Sequence, residues 1–149
     1  MNKQDAAVEA FEKALEIDPK LPEAAFGLGA ICSAQERYGE ARDYLLQARS
    51  LRPEDWRISF ELGQVYLRMG QLDEAEASLR QAVSAHEEFA RSHLLLINAL
   101  ALQEKYPECL AAMEHYLRLF PKDQFAEQVQ RKHDLLKAEL EKASTAPPQ

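Results

Sequence analysis

The chain has 149 residues, enough for one domain-sized core, and its 46% hydrophobic and 29% charged residues are the balance of an ordinary folded protein. A formal charge of −7 argues against the basic stripe that a nucleic-acid surface needs and equally against docking on anionic lipid. The longest apolar run, Leu94 to Leu102, is interrupted by Asn98 and is far too short for a bilayer, so no membrane insertion is expected.

The chain opens on MNKQDAAVEA, which has no apolar core, so no export leader is expected. Residues 5–17 read as a helix with Val8, Phe11, Ala14 and Leu15 on its apolar side, stopped at Pro19. From residue 22 a period of 34 residues takes over. Aligning 22–55 with 56–89 gives ten identities where about two would fall by chance, among them Phe26/Phe60, Gly29/Gly63, Ala41/Ala75, Leu45/Leu79, Gln47/Gln81 and Ala48/Ala82. Each unit is predicted to be two helices and a turn. In the second unit Asp55 caps a helix that runs to Met69 and ends at Gly70, a residue suited to the left-handed C′ position. Asp73 and Glu74 then open the partner helix with negative charge at its positive end. Pro22 and Pro107 stand where a first helical turn tolerates a missing N–H, and Pro53 and Pro121 close units.

The small residues in this frame carry a packing expectation. Glycine inside a helix costs about 1 kcal/mol relative to alanine, so Gly29 and Gly63 in one shared slot point to a close approach of two helix axes, with Ala41 and Ala75 opposite. Residues 90–123 form a degenerate third unit, with Ile97 for the glycine and Cys109 and Tyr116 for alanines, which implies a wider helix spacing there. Residues 124–143 are expected to be a capping helix with Phe125, Val129, Leu136 and Leu140 on its inner stripe, and 144–149 a disordered tail. By register, residues 1–21 are a half repeat holding only a second helix. Its uncovered face implies either that the chain belongs to a longer array or that residues 5–17 pair two copies in an isologous homodimer.

Leu28-Gly29, Ala41, Leu45, Ala48 and Pro53 together resemble the tetratricopeptide repeat, over residues 1 to about 143. The family's early tryptophan is absent: Ala25, Ser59 and His93 hold that place, and Trp56 comes three residues too soon. The resemblance implies an all-α, right-handed solenoid whose first helices line a concave groove. Equivalent positions would then form ladders: Phe26, Phe60 and Leu94, followed by Gln128; Ala30, Gln64 and Asn98, followed by Lys132; and Glu23, Arg57 and Arg91. The candidate partner-binding residues are accordingly Phe26, Arg57, Phe60, Gln64, Arg91, Leu94 and Asn98. The other reading of Phe26 and Phe60 is that they pack inward against neighbouring helices. Some members of the family grip the C-terminal carboxylate of large chaperones. At those places stand Phe26, Ala30, Glu61, Arg91 and Leu95, of which only Arg91 suits the task, so chaperone-tail clamping is disfavoured.

No constellation for chemistry emerges. Gly27-Leu28-Gly29 lacks the third glycine and the preceding strand of a dinucleotide loop, and His86-Glu87 lacks the second histidine of a zinc-protease helix. The four histidines fall at unrelated repeat positions, and Cys32 and Cys109 lie in apolar slots as separate buried thiols. No cofactor or metal is expected, and reduced thiols point to the cytoplasm. The expected function is a non-catalytic scaffold that binds a peptide or helical segment of a partner protein in its groove. The alternatives are a secretion-chaperone-like protein shielding an apolar client segment, or the repeat region of a larger enzyme or membrane-anchored assembly.

Overall fold

The structure, a computed structural model, describes residues 3–145. The described residues form eight α-helices: α1 (Lys3–Ile17), α2 (Pro22–Ala34), α3 (Tyr38–Leu51), α4 (Trp56–Met69), α5 (Leu72–Ala85), α6 (Ala90–Leu102), α7 (Tyr106–Leu119) and α8 (Ala126–Thr145). The all-α class of stacked helical hairpins is therefore the observed one. The chain divides after Glu87 into two compact units.

The first unit holds α1 to α5, each helix packed on the next, and α2 also touches α4 directly. The turn chemistry follows the repeat. Pro22 is the first residue of α2, the Asp55 carboxylate accepts a hydrogen bond from the Arg57 amide at the start of α4, and Gly70 ends α4 with φ 72°. Three turns share this left-handed residue, although only one uses glycine. Glu36 (φ 61°) and Glu104 (φ 57°) occupy the same repeat position as Gly70. The reason lies in the backbone: Arg37, Gln71 and Lys105 each donate an N–H to the carbonyl five residues back, at Cys32, Tyr66 and Leu100. That closure needs a left-handed residue just before the donor, whatever its side chain.

The repeated glutamines have a similar explanation. Gln47 donates its side-chain amide to the Pro19 carbonyl at 3.0 Å, and Gln81 does the same to Pro53 at 2.7 Å. Each ties a second helix to the loop that precedes its own unit. Ala41, Leu45, Ala48, Ala75, Leu79 and Ala82 are fully buried, as the period requires. The close approach at Gly29 and Gly63 is real; the Ala41 carbonyl lies 3.3 Å from a methyl placed on Gly29, but the nearest partners are leucines. A methyl on Gly63 would stand 2.5 Å from Leu79 Cγ, and one on Gly29 would stand 2.6 Å from Leu45 Cγ. The glycines make room for the leucines one turn beyond Ala75 and Ala41, because a helical side chain leans back over the preceding turn. Gly27 plays the same part for α1: a methyl there would stand 2.5 Å from the Phe11 ring. That is the packing role of Gly27-Leu28-Gly29.

The second unit holds α6, α7 and α8, with α7 packed between the other two. Here the small-residue seam is replaced. Cys109 is fully buried and its thiol donates to the Ile97 carbonyl at 3.6 Å, while Tyr116 is buried beside Phe120 with ring centroids 5.3 Å apart. The Tyr116 hydroxyl donates to the Asp123 carboxylate, which also accepts the Phe125 amide at 2.9 Å. That turn sets the start of α8 at Ala126 and shifts its inner stripe. Ala126, Val129 and His133 are the buried residues of α8, and Leu136 and Leu140 are half-buried. Phe125, expected on that stripe, precedes the helix and is 41% exposed. The first two residues of the tail expected at 144–149 are helical. Ser144 and Thr145 belong to α8, their hydroxyls donating to the Glu141 carbonyl, and 146–149 lie outside the described residues.

Candidate partner-binding groove

The candidate site follows from a difference in helix spacing. In the first unit the backbones of α2 and α4 come within 8 Å of each other, whereas those of α6 and α8 do not, although the same number of helices separates them. Tyr116 and Cys109 of α7 are fully buried where the first unit has alanines. What remains between α6 and α8 is a trough floored by Met113 of α7 with Ile97 and Val129 beside it. Two cavities run along it, of about 710 Å³ and about 310 Å³, and both are lined by Leu94 and Phe125. The larger has Arg91, Glu88 and Asp123 at its lip; the smaller has the amides of Asn98 and Gln128 and the ammonium of Lys132.

Three of the residues singled out from the sequence therefore meet. Arg91 and Leu94 share the larger cavity, and Leu94 and Asn98 share the smaller one. Leu94 is half-buried, a hydrophobic floor with area to spare, while Arg91 and Asn98 are exposed. Asp123 cannot act as a free acid in the lip. The Tyr116 hydroxyl and the Phe125 and Gln124 amides hold its carboxyl below the usual range, so it stays ionised and engaged.

The residues of the first unit form a separate feature. The Arg57 guanidinium sits 5.8 Å from the centroid of the Phe26 ring and donates to both carboxylate oxygens of Asp55, at 2.9 and 2.6 Å. The notch around them, which also includes Glu23 and Arg52 joined as an ion pair, encloses only about 90 Å³. That is well below the ~300–1,000 Å³ of ordinary ligand pockets. Phe60 is 6% exposed and belongs to the buried set, as the inward reading of its position had it, so its ring has little area left for a partner. Gln64 is half-buried.

Phe125, Gln128 and Lys132 complete the trough. The last two were visible as continuations of the ladders. Phe125 was missed as an exposed wall, and the signal was Asp123: an aspartate two residues ahead of an amide it can cap places that residue outside the helix. His86, His93 and His115 are engaged in ring packing. His86 stacks on Trp56 at 4.6 Å, and His93 is buried against His115 and Phe120. Burial raises both thiols, the opposite of what an activated nucleophile needs. Among the described residues no three His, Cys, Asp or Glu side chains gather as a metal site, and no helix is long and apolar enough to cross a membrane.

Family models described as tetratricopeptide repeat match residues 2–49, 33–86 and 60–124. Anaphase-promoting complex subunit 3 of Dictyostelium discoideum is 31% identical over 104 residues, 70% of this chain and 11% of that protein. The human protein O-mannosyl-transferase TMTC1 is 31% identical over 123 residues, 83% of this chain and 14% of its own. The chain thus spans about a seventh or less of the length of these curated relatives. Among known structures, YrrB, described as a TPR protein with an unusual peptide-binding site, superposes with a TM-score of 0.83 at 24% identity, covering 94% of this chain and 71% of its own. Matching repeat models, the 34-residue register of the helices and this shared architecture agree: the chain belongs to the tetratricopeptide repeat family.

Proposed function

We propose that the chain is a non-catalytic interaction module, and that the trough between α6 and α8 receives a peptide or helical segment of a partner protein. The observation that carries this reading is the pair of adjoining cavities that share Leu94 and Phe125, the smaller lined also by Asn98 of α6 and Gln128 of α8. An apolar floor supplies burial, and the amides hydrogen-bond to a backbone or to polar side chains. Each buried Leu- or Phe-sized side chain of a partner contributes about 1.5–3 kcal/mol. Two or three of them give roughly micromolar affinity after the cost of association. The peptide-binding site ascribed to the structurally similar YrrB supports a partner of this kind. A second reading is favoured by the lengths of the relatives. A chain spanning 11% and 14% of them suits the repeat region of a larger assembly, in which this trough would be the part that holds a neighbour.

The test is selection of a displayed peptide library on the purified chain, with affinities of recovered peptides measured by fluorescence anisotropy. Leu94→Glu and Phe125→Ala are each expected to weaken binding at least about tenfold, while Arg57→Glu in the other unit leaves it unchanged. Peptides that bind Leu94→Glu as well as the parent chain would refute the site.

A further inference from the structure

We propose that His133 is a pH-dependent fastener that holds α8 against α7 and so governs the far wall of the α6–α8 trough. This deepens the reading of that trough as the partner site and rests on it. His133 is 8% exposed, and both ring nitrogens face carboxylates: Nε2 lies 3.1 Å from Glu114 Oε1 on α7, and Nδ1 lies 3.0 Å from Asp134 Oδ1 on α8. A neutral imidazole has one N–H and one lone pair, so it satisfies only one of these oxygens and turns a lone pair towards the other. The imidazolium donates to both. The geometry therefore fits the charged ring, and the seam is complete only in that form.

The groups facing the ring come from both helices. α7, the only described helix packed on α8, contributes Glu114. α8 itself contributes Asp134, which also accepts the Gln130 amide at 2.8 Å and has Lys137 nearby. The hydrogen bond to Asp134 raises the ring's pKa most, burial opposes it, and Glu114 raises it further. Because the folded value lies above the unfolded value of about 6.5, the fastening is fully present below about pH 6.5. Its charge-assisted part is lost as pH rises through the higher folded value, when the neutral ring keeps one of the two hydrogen bonds. Both carboxylates are 64% exposed, so solvent screening keeps the effect small. The trough is sensitive to it nonetheless. α8 carries Gln128, Val129 and Lys132 on the wall, and its backbone packs on α7 rather than on α6, so its hold on α7 bears on the width of the trough.

Amide hydrogen exchange on the full chain between pH 6 and 8.5, corrected for intrinsic rates, is the test. Protection in α8 should fall about threefold with rising pH, protection in α2 to α5 should not follow it, and His133→Gln should leave α8 flat across the range. Spin labels at Asn98→Cys and Gln128→Cys, with Cys32 and Cys109 buried, read the trough without any peptide. Their distance distribution should broaden at the alkaline end in the parent chain and stay constant in His133→Gln. A flat exchange profile in the parent, the same pH response in His133→Gln, or an unchanged label distance each overturns the proposal. Because no peptide takes part, those results are separate from any failure of the peptide-binding reading.

Discussion

Gly63→Ala puts the close approach of α4 and α5 to a direct trial. The added methyl would lie 2.5 Å from Leu79 Cγ and 2.6 Å from Cδ2. Cγ is the branch point of the side chain rather than its far end, and Leu79 is fully buried, so it has nowhere to turn. Overpacking of this kind costs about 1–3 kcal/mol, while exchanging glycine for alanine in a helix returns about 1 kcal/mol. The balance is a loss of up to about 2 kcal/mol, or a fall in Tm of up to about 4–8 °C for a chain of this size. Gly39→Ala is the control, since a methyl there meets nothing within 4 Å. It should leave stability unchanged or raise it by up to about 1 kcal/mol. Urea unfolding followed by circular dichroism supplies the numbers. Leu79→Ala alone should cost about 2–5 kcal/mol, but adding Gly63→Ala to it should then stabilise, because the methyl grows into the space left behind. Gly63→Ala as stable as Gly39→Ala, or additive with Leu79→Ala, would refute the argument from close approach.

Two further outcomes follow from the turns. Glu36→Gly and Glu104→Gly relieve left-handed residues at the position where Gly70 already stands. Each should stabilise by about 0.5–1 kcal/mol in the same urea measurement, the lower steric cost outweighing the greater freedom of the unfolded chain. Asp55→Ala removes the hydrogen bond to the Arg57 amide and should cost about 1 kcal/mol at neutral pH. The hydrogen bond from the Arg57 side chain is the main reason that the Asp55 carboxyl titrates below its ordinary value, with the backbone hydrogen bond adding to it. Its contribution is therefore complete above the unfolded value of about 3.9 and disappears as pH falls through the lower folded one. Parent and variant should converge in stability in strong acid.

How much of this was legible depends on what each residue answers to. Ala41, Leu45 and Ala48 could be placed in advance because 3.6-residue periodicity decides which helix face is buried, and all three are fully buried. Asp55 and Gly70 could be placed because caps are local chemistry. Glu36 and Glu104 could not. Their side chains say nothing of a left-handed turn, which is imposed by the hydrogen bond that closes the preceding helix. Phe60 and Phe26 share a repeat position and a side chain, yet one is 6% exposed and the other half-buried beneath Arg57. Burial at a given register depends on the neighbours that each copy meets.

Periodicity, caps and breakers act over one or two helical turns, so the amino-acid order alone specifies eight helices and, in the regular repeats, the face each turns inward; the ends and inner stripe of α8 it places only approximately. The width of the gap between α6 and α8 is of another kind. It depends on how Tyr116 and Cys109 fill the seam at α7, and on the Asp123 turn that leaves Phe125 outside its helix. Those are fits between side chains of neighbouring helices and the turn that joins them, and only the packed structure sets them.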